Sequence, residues 1–176
     1  MTITQEEFTQ IYNGHIEQIY RFFYLKVSSK PDAEDLTQGV FLKLLEYLKD
    51  HQEKIENTRA FLYQVARNSI TDYYREKGKA PISLEGDEEL REMVSSPERP
   101  ERPLLVNSDM RDISRALTNI NQDYSDLVIW HYIDDLSIPE ISRINGKSKG
   151  TNRVMLHRAL KALKEAVGGQ TPKVGV

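Results

Sequence analysis

The sequence contains no cysteine, which excludes disulfides and thiolate metal or nucleophile sites and suits a reducing compartment. Its four histidines, His15, His51, His131 and His157, are scattered without the spacing of paired metal ligands. No nucleophile elbow or paired-carboxylate site is present either, so neither catalysis nor a cofactor or metal is expected. No apolar run reaches membrane-spanning length, and the opening MTITQEEF lacks the basic start and apolar stretch of a signal peptide. A cytoplasmic protein without membrane insertion is the expectation. A net positive charge is also lacking, the balance of -3 excluding a uniformly basic coat. Any contact with nucleic acid must come from charge segregated along the chain.

That segregation is found between Ile141 and Lys164, where Arg143, Lys147, Lys149, Arg153, Arg158, Lys161 and Lys164 occur without one Asp or Glu. Ile138, Ile141 and Ile144 recur at helical spacing after Ser137, an N-cap residue, with Pro139 tolerated in the first turn and Asn145-Gly146 as a stop. A second helix is predicted from Ser148 to a stop at Gly168 and Gly169. Two helices across a tight glycine turn make a helix-turn-helix, whose second helix normally enters the DNA major groove. Its wheel puts Met155, Ala159, Ala162, Leu163 and Ala166 on one side and Arg153, His157, Lys161 and Lys164 on the other. A one-sign face suits phosphate neutralisation, although a solvated face of a helical bundle shares the pattern. Gly146-Lys147-Ser148 is not a phosphate loop, because that motif needs glycine where Ile141 stands.

Upstream, Phe8, Ile11, Tyr12, Ile16, Ile19, Tyr20 and Phe23 predict one amphipathic helix, or a close-set pair, over Thr4 to Val27. After a break at Ser28 to Pro31 the run PDAEDLTQGVFLKLLEYLKDH starts another, with acids in the first turn. Leu36, Val40, Phe41, Leu44, Tyr47 and Leu48 form its wide apolar face, and Leu42 and Leu45 lie opposite beside Asp35 and Gln38. A second apolar strip implies either burial on two sides or a docking surface. A third helix, from about Arg59 to Lys77, buries Phe61, Leu62, Val65, Ala66, Ile70 and Tyr73 and turns Tyr63, Arg67 and Tyr74 outward, with Asn68 and Arg75 nearby. Aromatic rings interleaved with arginine suit single-stranded DNA, whose bases stack on rings while cations hold phosphates. From Ala80 to Pro103, seven acids face three arginines amid proline and serine, a composition that buries no core. The fold class is therefore all-α: two small helical domains joined by an acidic flexible linker, the second containing the helix-turn-helix. The expected boundaries are 1–78, linker 79–108, 109–168 and a tail 169–176. In the second domain Met110, Ile113, Ala116, Leu117 and Ile120 open a helix that leads into Tyr124, Leu127, Val128, Trp130 and Ile133.

The run Asp32-Ala33-Glu34-Asp35-Leu36-Thr37-Gln38-Gly39-Val40-Phe41 resembles the signature of domain 2 in bacterial RNA polymerase sigma factors, particularly the extracytoplasmic-function (ECF) group. Arg59-Ala60-Phe61-Leu62-Tyr63-Gln64-Val65-Ala66-Arg67-Asn68, continuing to Asp72-Tyr73-Tyr74-Arg75, resembles the promoter-reading helix of that domain. Asp109 to Ala166 resembles domain 4. The resemblance implies promoter-specific transcription initiation with core RNA polymerase, touching the clamp helices of its beta-prime subunit and its beta subunit, with promoter DNA, and under restraint by an anti-sigma factor. It assigns polymerase docking to Asp35, Gln38, Phe41, Leu42 and Leu45. Reading and melting of the -10 element fall to Arg59, Phe61, Tyr63, Arg67, Asn68, Tyr74 and Arg75, with the loop His51 to Thr58 receiving a flipped base. The -35 element falls to Ser148, Lys149, Gly150, Thr151, Arg153, His157, Arg158 and Lys161. The linker of such factors threads toward the RNA exit path of the polymerase.

Three positions depart from the family pattern. Gly39 replaces an acidic residue, Asn152 replaces an apolar one on the core side of its helix, and Asn121 stands where proline is common. A buried amide without partners is costly, so the seating of the second helix is expected to suffer at Asn152. The competing readings are a helix-turn-helix regulator that binds an operator by itself and a helical interaction protein that binds no DNA.

Overall fold

A computed structural model describes residues 3–51, 54–78 and 110–170, and every element among them is helical. The chain divides into two compact units, Met1–Ala80 and Pro81–Val176. The acidic linker expected at 79–108 and the end of the expected tail lie outside the described residues.

Unit 1 is a three-helix bundle of α1 (Gln5–Val27), α2 (Lys30–Asp50) and α3 (Thr58–Lys77), each packed on the other two. The N-terminal pattern resolves into one helix rather than a pair. Thr4 and Glu7 close a capping box, Thr4 Oγ1 accepting from Glu7 N at 3.2 Å and Glu7 Oε2 accepting from Thr4 N at 2.9 Å. The helix ends where Ser28 turns left-handed (φ 54°) and its N–H donates to the Tyr24 carbonyl. Ser29 then caps α2 at once, accepting from Asp32 N, and Asn57 caps α3, accepting from Ala60 N at 2.9 Å. The core joins Phe22, Phe23 and Leu25 of α1 to Val40, Phe41 and Leu44 of α2 and Leu62, Tyr63, Ala66 and Ile70 of α3. Each of the buried Val, Leu, Ile and Phe side chains among them contributes roughly 1.5–3 kcal/mol by leaving water.

Unit 2 consists of α4 (Met110–Asn119), α5 (Gln122–Val128), a π-helical turn (Ile129–Ile133), α6 (Ile138–Asn145) and α7 (Lys149–Gln170). Helix α7 packs against α4, α5 and α6. Its core is built from Ile113, Ala116, Leu117, Leu127, Trp130, Ile133, Ile141, Ile144, Leu156, Ala159 and Leu163. Asn121 supplies an N-cap for α5, its Oδ1 accepting from Asp123 N at 2.8 Å, and its φ of -53° falls in the range proline imposes. That geometry accounts for either residue at this position. The predicted stop at Gly168 and Gly169 is corrected: α7 runs through both to Gln170. A glycine ends a helix when it turns left-handed, and Gly168 does not do so.

Candidate polymerase and nucleic-acid interfaces

On α2 the residues that pack inward, Ala33, Thr37, Val40, Phe41 and Leu44, fall at helical spacing and leave the opposite side to Asp35, Gln38, Leu42 and Leu45. Leu42 is 60% exposed, and Leu45 is half-buried beside it. Phe41 belongs to the core instead of the docking strip. It is 3% exposed, with the Tyr12 ring edge-on at 4.9 Å, because the 100° step between neighbours sends it inward while Leu42 points out. Gly39 interrupts neither the helix nor its packing, and a Cβ added there would meet nothing within 4 Å.

Helix α3 corrects the expected aromatic platform. Tyr63 is wholly buried, its ring edge-on to Phe22 at 5.8 Å, so no base reaches it. It lies one step from Leu62 in a helix packed on both α1 and α2, and two neighbouring positions are thereby drawn inside. Tyr74 is half-buried, and its hydroxyl donates to the Lys26 carbonyl at the end of α1. Its neighbour Tyr73 donates to Asp32 Oδ2 of α2 at 2.7 Å. Burial first, then the hydrogen bond and charge of Asp32, push the Tyr73 hydroxyl far above its ordinary pKa. Both tyrosines therefore serve as struts. Exposed on α3 are Gln64, Asn68, Thr71 and Arg75, with Arg59, Phe61 and Arg67 half-buried; Arg75 lies 3.9 Å from Asp72 one turn back.

The accessible rings are elsewhere. Tyr47 of α2 stacks on His51 at 4.1 Å with the planes 13° apart, and Phe61 approaches Tyr47 at 4.9 Å. His51 is exposed and its Nδ1 is 3.1 Å from the Tyr47 carbonyl. This ladder flanks the segment between α2 and α3. The i,i+4 spacing of Tyr47 and His51 was its signal in the sequence, obscured because Tyr47 also completes the apolar face of α2.

In unit 2 the helix-turn-helix is fixed by hydrogen bonds at each end of its turn. Ser137 and Glu140 form a capping box for α6, with Ser137 N donating to Glu140 Oε2 at 2.8 Å. Gly146 ends α6 in the left-handed region (φ 72°), its N–H donating to the Ser142 carbonyl. Ser148 starts α7, its Oγ accepting from Thr151 N at 3.1 Å. Between them the expected liability at Asn152 is reversed. Asn152 is 0% exposed and accepts from Asn145 Nδ2 at 2.7 Å, while its own Nδ2 donates to Ser142 Oγ at 3.0 Å and reaches Asn145 Oδ1 and the Lys147 carbonyl at 3.3 Å. Asn145 Oδ1 also accepts from Lys147 N at 3.0 Å. A polar bracket thus replaces apolar packing at the turn, and the reciprocal pair Asn145/Asn152 makes it affordable.

Ser148, Lys149, Gly150, Thr151, Arg153, His157, Arg158 and Lys161 are all exposed. Val154 shares that surface and was not singled out by its type; Lys147 leaves it, with Nζ 3.6 Å from Asp123 Oδ2. Leu156, absent from the predicted inner face, is buried with Asn152 and Ala159. Among the described residues no group of three or more His, Asp or Glu could hold a metal ion, and no helix is long and apolar enough to cross a membrane.

The model of sigma-70 region 2 matches residues 11–80, and that of sigma-70 region 4 matches residues 110–163. The chain belongs to the sigma-70 family. Its similarities place it in the ECF group. It is 26% identical over 159 residues to the ECF RNA polymerase sigma factor BldN of Streptomyces coelicolor, a match covering 90% of this chain and 59% of BldN. It is 25% identical over 155 residues to the ECF RNA polymerase sigma factor SigM of Bacillus subtilis, covering 88% of this chain and 91% of SigM. The chain spans about three fifths of BldN and of SigE from Mycolicibacterium smegmatis. The solved sigma factor RpoE of Bartonella quintana, in complex with the anti-sigma factor NepR, shares the fold at a TM-score of 0.67 and 22% identity, covering 94% of this chain and 99% of RpoE. CnrH, solved in complex with the cytosolic domain of CnrY, shares it at 0.65 and 18%, covering 96% and 92%.

Proposed function

We propose that this ECF sigma factor binds core RNA polymerase in the cytoplasm and directs promoter-specific initiation, unit 1 acting at the -10 element and unit 2 at the -35 element. The observation that carries the reading is Leu42, an exposed leucine on the outer side of a helix whose inner side is already saturated. With Asp35, Gln38 and Leu45 it makes an apolar strip with polar margins, the chemistry of a surface that meets a partner helix on the beta-prime clamp. Arg59, Phe61, Arg67, Asn68 and Arg75 remain in place to hold a separated strand. The Tyr47–His51–Phe61 ladder supplies the stacking surface that Tyr63 and Tyr74 do not. Ser148, Lys149, Gly150, Thr151, Arg153, His157, Arg158 and Lys161 present the charge and donors that a duplex groove needs, with further contact to the beta subunit while bound. An anti-sigma factor, of the kind named with RpoE, would silence the protein by covering the Leu42 strip.

The test is reconstitution with core RNA polymerase. Leu42→Asp with Leu45→Asp is expected to abolish capture of the core enzyme and run-off transcription while the helical circular dichroism spectrum is kept. Wild-type capture by the folded double variant would refute the docking assignment. Tight binding of the free protein to a palindrome, unaffected by core enzyme, would favour the stand-alone regulator.

A further inference from the structure

Three large apolar side chains are exposed among the described residues, and two of them, Tyr12 and Leu42, belong to unit 1. The third, Val154, is 52% exposed and is the sixth residue of α7. At about 100° per residue it stands roughly 180° around the helix from Leu163, which is buried. It therefore occupies the middle of the outward face. Lys161 lies nearly in line with it two turns on, Arg158 about 40° to one side and His157 about 60° to the other, all exposed. A scattered surface valine is ordinary, but one flanked by Lys161 and Arg158 on the outward side of a recognition helix meets whatever those two cations approach.

If the cations face phosphates, the centre of the face meets base edges, which the first turns of such a helix normally read. Valine offers neither donor nor acceptor. The single apolar group on the major-groove edges of the bases is the 5-methyl of thymine. Cytosine presents N4–H₂ there, guanine N7 and O6, and adenine N7 and N6–H₂; none carries a methyl, and burying those polar groups against a valine leaves them unpaired.

We infer that Val154 is a specificity-determining residue that reads the 5-methyl group of one thymine in the -35 element. This rests on the promoter-binding reading above. It adds a base preference that the surrounding polar residues do not supply. The Ser148 cap and the Asn145–Asn152 bracket hold the first turns of α7, and with them the azimuth of Val154.

The test uses holoenzyme assembled from the full chain and core RNA polymerase. Promoter duplexes are selected from a randomised pool, and each thymine of the -35 region is then replaced singly by deoxyuridine, which removes only the methyl. Wild-type holoenzyme is expected to lose about fourfold in binding at one position, the equivalent of roughly 0.8 kcal/mol for one buried methyl-sized group. Holoenzyme carrying Val154→Ser is expected to bind the thymine and deoxyuridine duplexes alike at that position. Equal tolerance of deoxyuridine everywhere by the wild type, or an undiminished methyl effect in Val154→Ser, overturns the inference while leaving promoter binding intact. Failure of the holoenzyme to select any -35 sequence overturns both.

Discussion

Replacing Asn152 by alanine isolates the polar bracket that joins α6 to α7. The substitution removes the 2.7 Å bond from Asn145 and the 3.0 Å bond to Ser142, together with the two longer contacts at 3.3 Å. An amide has two N–H groups, so the three acceptors of Asn152 share two hydrogens and the longer contacts add little. Two good bonds are worth about 1 kcal/mol each, and the Asn145 amide left beside a small cavity adds a desolvation cost. Ser142, Asn145 and Lys147 are only half-buried, so entering water recovers part of it. The expected loss is about 2–3 kcal/mol in unit 2. Trp130 is the one tryptophan of the sequence and lies buried in that unit, so its fluorescence reports unit 2 within the full chain. A urea titration should show the midpoint falling by about 1–2 M at a slope typical of small domains. A double-mutant cycle with Asn145→Ala should return a coupling of about 1 kcal/mol. An unmoved midpoint, or a coupling near zero, would show that the bracket is incidental to the turn.

Three further outcomes are expected. Gly39→Ala should stabilise unit 1 by about 1 kcal/mol, since the site is mid-helix with open space for a methyl, and chemical denaturation followed by circular dichroism checks it. His15 is held below its ordinary pKa of 6.5 by burial and, secondarily, by the charge of Arg59. The unfolded chain then binds the extra proton, so stability is full above pH 6.5 and is lost as pH falls through the lower folded value. His15→Gln should flatten that dependence in hydrogen exchange of α1, and an unchanged pH profile would count against it. Lys161→Ala should lower the slope of log K against log salt for holoenzyme on the -35 duplex by about 0.9, and an unchanged slope would take Lys161 off the phosphates.

Local signals were the easiest to see in the chain. Ser137 before Ile138, and Gly146 after Ile144, each name a cap whose partners lie within four residues, so the helix-turn-helix was legible in outline. Leu42 was legible for the same reason, because one helix wheel suffices to show it facing away from Val40 and Leu44. Failures occurred where a third element decides. Tyr63 reads as outward on its own helix, but α3 is gripped from two sides and the wheel has no record of the second. Asn152 reads as a fault until Asn145, seven residues earlier, is folded against it. The stack of Tyr47 on His51 was overlooked, although the loop from His51 was singled out, because an aromatic on a core face can still leave one edge in water.

The two neighbouring tyrosines of α3 have a consequence for geometry as well as adhesion. Tyr73 is fastened to α2 and Tyr74 to the end of α1, and adjacent residues leave a helix about 100° apart. One tether would permit the helix to roll beneath it; two in divergent directions fix its angle of rotation. A roll of about 20° would swing a side chain on the outer surface by about 2 Å, enough to break a hydrogen bond. Asn68 and Arg75 thus keep a constant bearing, set by two hydroxyl groups bonded to the other two helices of the bundle.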